Sequence, residues 1–295
     1  MRFRFDPGRS MSLGPIAVPT APCGHRPSSN PRDLMRTIAS LLASLAALTV
    51  ASCANVQTPL PPTPATANGG ALWRIIYTQC LPGQRERDDP RPCAKVSLTG
   101  GVTHGFVLLK DIRGVAQYLL MPTARITGTE DPAIVAPDAT NYFDKAWDER
   151  RAVDARLGRR LARTELSVAV NSVYGRSQGQ LHLHIDCVDP TVAEALRQVI
   201  ISPDAAWPAH TVVLKGRSYW IRWLGADRLK STNPFRLLAE SFPNARREMG
   251  AWTVALVGAV APSGEPGFYL LADRANPRGG DRGSSESLQD HGCRG

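Results

Sequence analysis

Apolar and polar positions alternate most strictly from Gln180 to Cys187, which reads Q-L-H-L-H-I-D-C. Leu181, Leu183, Ile185 and Cys187 share one parity, and Gln180, His182, His184 and Asp186 share the other. Strand side chains point to opposite faces with period two. The pattern therefore predicts a strand over 181–188, with a buried apolar face and a polar ladder on the opposite one. Two imidazoles on that ladder stand about 6–7 Å apart, two residues at roughly 3.3 Å rise each. The preceding loop, 174–179, reads Y-G-R-S-Q-G. Its glycines, arginine and small polar groups suit it to bring N–H groups and a guanidinium to a phosphate.

The same reading organises the rest of the chain. Residues 72–80 predict a helical turn or two, ended by Pro82-Gly83. Apolar runs at 105–110 and 116–121 flank the short turn D-I-R-G and predict a β-hairpin, with Pro122 closing its second strand. Residues 138–157 have near-helical apolar spacing. Residues 168–171 lead into the loop as a strand, and 191–201 predict a helix capped by Asp189 or Thr191. Residues 210–214 and 218–224 predict a second strand pair around Lys215-Gly216-Arg217. A short amphipathic helix over 234–242 and late strands over 251–260 and 267–272 complete the domain. Hairpins interleaved with helices indicate an α+β fold with a mostly antiparallel sheet.

The formal net charge of +9 overstates how basic the domain is. Six arginines and only two acids fall in residues 1–52, leaving a surplus of five dispersed over the remainder. That bias is too weak and scattered for nucleic acid, and suits anionic small molecules or lipid headgroups. Within 1–52, Met35-Arg36 opens an apolar stretch, 38–51, that is short for a bilayer span. Its charged start, apolar middle and small-residue end match a secretory signal over 35–52. The close, V-A-S-C, is similar to a bacterial lipoprotein signal, with Cys53 as the lipid-attachment residue. An uncleaved anchor or a plain signal with a chance cysteine is the alternative. Residues 1–34, rich in Pro, Arg and Ser, are read as a disordered extension or a mis-assigned gene start. Residues 53–72 form a Pro/Thr/Ala-rich linker. The folded domain is then 73–273, followed by a loose Gly/Ser/Arg-rich tail, 274–295, tied by Cys293.

Export makes disulfides permissible for Cys80, Cys93, Cys187 and Cys293. Three pairings exist. Cys80–Cys93, closing a short polar loop, and Cys187–Cys293, pinning the tail to the apolar side of the central strand, are favoured. The rival reading is zinc, but the chain has no C-x-x-C pair.

The stretch Q-L-H-L-H-I resembles the histidine-triad signature, in which histidines alternate with apolar residues. Further blocks resemble the CDP-diacylglycerol pyrophosphatases, a membrane-associated branch of that superfamily. They include Q-C-L-P at 79–82, P-C-A at 92–94, V-L-L-K-D at 107–111, Q-Y-L-L-M-P-T at 117–123 and R-I-T-G-T-E at 125–130. N-P-F at 233–235, L-A-E at 238–240, M-G at 249–250 and Q-D-H at 289–291 follow in order. The resemblance implies a HIT-like fold with flanking helices and hydrolysis of CDP-diacylglycerol to CMP and phosphatidate. It implies a nucleotidyl-histidine intermediate on the middle histidine, His182, with His184 as the third. Gln180 stands where the family has its first histidine, so support for the nucleophile must come from an amide or from elsewhere. The substrate would be the membrane's own CDP-diacylglycerol, met in a bacterial envelope by an anchored domain facing the periplasm or exterior.

The chemistry suits these residues. A neutral imidazole, with an ordinary pKa of about 6.5, is a competent nucleophile. Phosphatidate leaves readily because a phosphomonoester has a second pKa of about 6. Two displacements replace one harder attack by water. Asn171, Ser177, Gln178 and Gln180 are the candidate phosphate-binding residues beside His184. No metal or cofactor is required. Two alternatives remain: a nucleotidyltransferase with an acceptor other than water, and a non-catalytic lipoprotein binding nucleotide or metal through the same ladder.

Overall fold

The predicted hairpins pair into one continuous sheet. The computed structural model describes residues 70–202 and 204–294. The expectations for 1–34, the leader 35–52, Cys53 and most of the linker lie outside those residues. Among the described residues nine strands are present: β1 (Lys95–Ser97), β2 (Phe106–Lys110), β3 (Tyr118–Pro122), β4 (Leu166–Val170), β5 (Leu183–Cys187), β6 (His210–Leu214), β7 (Arg217–Gly225), β8 (Trp252–Val260) and β9 (Pro266–Arg274). Their order is β1-β2-β3-β5-β4-β8-β9-β7-β6, antiparallel at every pairing. The α+β class with an antiparallel sheet is as expected. The β6–β7 turn, Lys215-Gly216, has positive φ at both residues, the backbone twist that suits a two-residue hairpin.

Seven short α-helices among the described residues accompany the sheet: α1 (Ala71–Ile75), α2 (Leu81–Arg87), α3 (Gly101–His104), α4 (Tyr142–Asp148), α5 (Arg151–Leu157), α6 (Pro190–Arg197) and α7 (Pro234–Ser241). Asp189 caps α6 by accepting from the amides of Thr191 and Val192. The stretch 138–157 breaks into α4 and α5 rather than forming one helix. Pro82-Gly83 does not end the first helix. A π-turn over Ile76–Cys80 joins α1 to α2, and Pro82 falls in the first turn of α2. A proline inside a helix lacks an N–H and crowds the carbonyl four residues back. The wider π-turn relaxes the ladder just ahead of it, so the chain continues to Arg87.

The expected apolar parity of the central strand is buried as read. Leu181, Leu183, Ile185 and Cys187 join Phe143, Trp147, Phe235, Leu238, Leu256 and Leu270 in the largest core cluster, under α4 and α7. Each such fully buried aliphatic side chain contributes roughly 1.5–3 kcal/mol. The opposite face is covered too. The α1–α2 region packs on it through Ile76, Cys80 and Leu81 against Val107, Leu119 and Met121. Farther along, α6 packs Val192 and Leu196 on Leu271 and Val257. Between them lies the tail. Expected to be loose, it instead packs on the sheet: Ser285, Leu288 and Gln289 are buried, and Gln289 bridges to Val188. Both disulfides, Cys80–Cys93 and Cys187–Cys293, are formed in the favoured pairing.

Candidate functional site

The polar ladder is thus an interior feature. Gln180, His182, His184 and Asp186 are all buried, with His182 6% and His184 4% exposed. His184 sits between Leu119 of β3 and Ala169 of β4 in the sheet register. Above the two imidazoles is a cleft of about 330 Å³. One wall is apolar, built from the start of α1 and from Leu109 and Leu119. The β2–β3 turn forms a second side, and loop residues Gly175–Gln178, Asn171 and Glu286 form the polar side.

His182 is held in one tautomer. Its Nδ1 lies 2.7 Å from the main-chain carbonyl of Gln180. A carbonyl only accepts, so Nδ1 carries the proton and Nε2 presents a lone pair. Burial lowers the His182 pKa, and the Gln180 carbonyl opposes that only in part, which keeps the ring neutral around pH 7. The rings of His182 and His184 meet edge to face with centroids 4.9 Å apart.

His184 is held in the complementary form. Gln117 Nε2 lies 3.1 Å from His184 Nδ1 and 3.5 Å from Glu286 Oε1. A carboxylate attracts the amide nitrogen rather than its oxygen, so Gln117 donates to Nδ1. The ring proton is then on Nε2, which is buried without a hydrogen-bond partner. An unspent N–H donor on His184 thus stands beside an unspent imidazole lone pair on His182, an arrangement that can meet an acceptor oxygen and an electrophilic atom together. Burial, reinforced by His182, His291 and Arg113, drives the His184 pKa well down.

Glu286 is the residue that ties this cluster together, and sequence reasoning missed it. Asn171 Nδ2 donates to its Oε2 at 2.8 Å, and its own amide donates to Asn171 Oδ1 at 3.2 Å. Its Oε1 lies 3.4 Å from His184 Nδ1 and 3.6 Å from His291 Nε2. His291 in turn meets Asp186 at 2.7 Å. That hydrogen bond raises the His291 pKa against the effect of burial, while burial raises that of Asp186. No local motif marks Glu286. Gln117 and His291 did lie in blocks resembling the family.

The sequence-predicted residues divide. His182, His184, Asn171, Ser177 and Gln178 all line the cleft. Asn171 is committed to Glu286 and Ser284 rather than left open for a phosphate. Gln178 Oε1 is buried without a partner. Within the loop, the amides of Tyr174, Gly175 and Arg176 are spent on Ser172. Those of Ser177, Gln178 and Gly179 have no protein acceptor among the described residues. The Arg176 guanidinium is clamped by both oxygens of Glu130 at 2.6 Å. Burial opposes the charged form of Glu130, but the hydrogen bonds and charge of Arg176 outweigh it and lower its pKa. Lys110 donates to the carbonyls of Asp111, Arg113 and Gly114 and so holds the turn.

Gln180 is outside the cleft. Its side chain is fully buried, and Nε2 donates to the carbonyls of Pro122 and Ala124 at 3.1 Å each. What supports His182 is the Gln180 main chain, which any residue at that position supplies. Asp186, Cys187 and Cys293 bring three donor atoms within 4.8 Å. Both sulfurs are bonded to each other, so that group offers no thiolate to a metal.

Fold and cleft together define a disulfide-bonded α+β protein with a buried histidine pair facing a cleft that is apolar on one side and polar on the other. The chain belongs to the CDP-diacylglycerol pyrophosphatase family, whose model matches residues 67–295. A CDP-diacylglycerol pyrophosphatase of Yersinia pestis is 41% identical over 227 residues, covering 77% of this chain and 85% of that protein.

Proposed function

We propose that this protein hydrolyses CDP-diacylglycerol to CMP and phosphatidate by two displacements through a nucleotidyl group on His182, in the manner of histidine-triad enzymes. The observation that carries the reading is the 2.7 Å contact between His182 Nδ1 and the Gln180 carbonyl, which leaves Nε2 basic and directed away from that anchor. The Nε2 lone pair attacks the phosphorus of the CMP moiety. The P–O bond to the bridging oxygen breaks, and phosphatidate departs with the electron pair. The ring is now a phosphorylated imidazolium, and its Nδ1–H bond to Gln180 strengthens as positive charge develops. His184 Nε2–H and the open amides of Ser177, Gln178 and Gly179 are the donors for the non-bridging oxygens. Water then attacks the same phosphorus, the P–N bond breaks with its electrons returning to Nε2, and CMP leaves with one proton released to solvent.

The family relationship and the named Yersinia pestis relative support the substrate. The two disulfides support an oxidising compartment. With the leader at 35–52 and Cys53, they support a bacterial envelope protein whose domain faces the periplasm or exterior. The test is CMP release from CDP-diacylglycerol in detergent micelles by wild type and His182→Ala, with chelator present. A single-turnover quench with label in the CMP phosphate should give an acid-labile, alkali-stable protein adduct in wild type only. Equal rates in the two proteins would remove His182 as nucleophile.

A further inference from the structure

The cleft is asymmetric in a way that the chemistry of phosphate transfer does not require. Its apolar wall runs outward from the imidazoles through Leu119 and Leu109 to Leu72, Ile75 and Ala71, and ends at Ile112 on the β2–β3 turn. Ile112 is 100% exposed. One exposed isoleucine is ordinary on a protein surface. This one is the outer end of an apolar track, and Val115, three residues on, is also exposed.

Two further observations concern the same rim. Arg113 is exposed on the turn, and the exposed Arg156 reaches the Val115 carbonyl. Neither forms an ion pair with a carboxylate among the described residues. The one acid on the turn, Asp111, accepts from the Arg113 amide. Lys110 is turned inward onto carbonyls. The outward charge at the rim is therefore basic. In addition, Ala71, the first residue of α1, lines the cleft.

From these we propose that the β2–β3 turn is a docking edge for an anionic phospholipid bilayer, with Ile112 entering the interface, Arg113 and Arg156 meeting headgroup phosphates, and the apolar track receiving the diacylglycerol end of a lipid drawn toward His182. A basic rim attracts an anionic surface, and an apolar tip enters it. The inference deepens the proposed activity, and its kinetic test rests on that reading.

The full chain is reconstituted in phosphatidylcholine vesicles with and without phosphatidylglycerol. Turnover is measured on CDP-diacylglycerol in the bilayer and on a short-chain, water-soluble CDP-diacylglycerol, and the quantity read is the ratio of the two rates. Any general loss of activity cancels in that ratio. Ile112→Asp is expected to lower it roughly tenfold. Arg113→Gln is expected to lower it about fivefold, only in vesicles containing phosphatidylglycerol. An unchanged ratio in both variants overturns the proposal. A second readout needs no turnover: Ile112→Trp in the same vesicles should show extra fluorescence, relative to wild type, that lipids brominated on their acyl chains quench. Absence of that quenching also overturns docking. Quenching without turnover of either substrate by wild type would instead leave docking standing and sink the proposed activity.

Discussion

Removing the Cys187–Cys293 disulfide should cost more than removing Cys80–Cys93, and should cost activity first. The sequence separations are 106 and 13 residues. The chain-entropy relation gives about 4.7 kcal/mol for the longer loop and about 3 kcal/mol for the shorter at 25 °C. For a domain of this size each kcal/mol moves Tm by about 2–4 °C, so Cys187→Ala/Cys293→Ala should melt roughly 10–19 °C below wild type and Cys80→Ala/Cys93→Ala roughly 6–12 °C below. The longer loop ends in the segment that carries Glu286 and His291. Without the covalent tie that segment is held by hydrogen bonds: Asn171 to Glu286, Ser285 with Thr253, Gln289 to Ser167 and to the His184 carbonyl, and His291 to Asp186. It should detach locally before the sheet melts. The assay is far-UV circular dichroism on heating, run beside residual CMP release. In Cys187→Ala/Cys293→Ala the activity midpoint should fall below the structural midpoint, and in Cys80→Ala/Cys93→Ala the two should coincide. If the shorter loop costs as much as the longer, the loop-entropy reasoning fails. If activity and structure melt together in the first variant, the tail is no separate unit.

Four other outcomes are expected. The acid limb of kcat should lie below the ordinary imidazole value of 6.5, because burial keeps His182 neutral where a solvated histidine would be charged; a limb above 6.5 in a pH–rate profile would contradict that assignment. His291 has the opposite sign. Its raised pKa contributes stability that is fully present below 6.5 and lost as pH rises through its folded value, so the urea-midpoint advantage of wild type over His291→Gln should shrink on going alkaline. Glu286→Gln should free the Gln117 amide to turn, mix the His184 tautomers seen by side-chain 15N NMR, and lower kcat by up to about 100-fold. A single unchanged tautomer in a folded variant would remove Glu286 from that role. Gln180→Ala should leave the Pro122 and Ala124 carbonyls without donors, at about 1–3 kcal/mol each, with KM unchanged; a raised KM at wild-type stability would return Gln180 to the binding site.

Sequence alternation located the central strand because one parity, Leu181 to Cys187, had a single place to go: the core under α4 and α7. The hairpins were legible for the same reason, and of three open disulfide pairings the one favoured, a short polar loop closed and the tail pinned to the central strand, is the one formed. The polar parity was not legible. Period two says that His182 and His184 share a face, but not what covers it, and the cover comes from residues about a hundred positions later. Glu286 has no local signature, since its role rests on contacts with Asn171, Gln117 and two histidines from three separate stretches. Gln180 was misplaced because parity assigns a face, whereas its position just ahead of β5 lets the side chain reach back to the end of β3. Pro82 was misread because a proline stops a regular α-helix, and the π-turn ahead of it is a tertiary accommodation.

The late position of Glu286 and His291 has a bearing on biosynthesis. The strand bearing the histidines is made first, and Glu286, whose carboxylate orients the Gln117 amide on His184, leaves the ribosome about a hundred residues afterwards. A nascent or prematurely terminated chain that stops short of Glu286 has its imidazoles uncovered and the Cys187 sulfur unpaired. Competence is therefore conferred by the final stretch of translation and by the oxidation that joins Cys187 to Cys293.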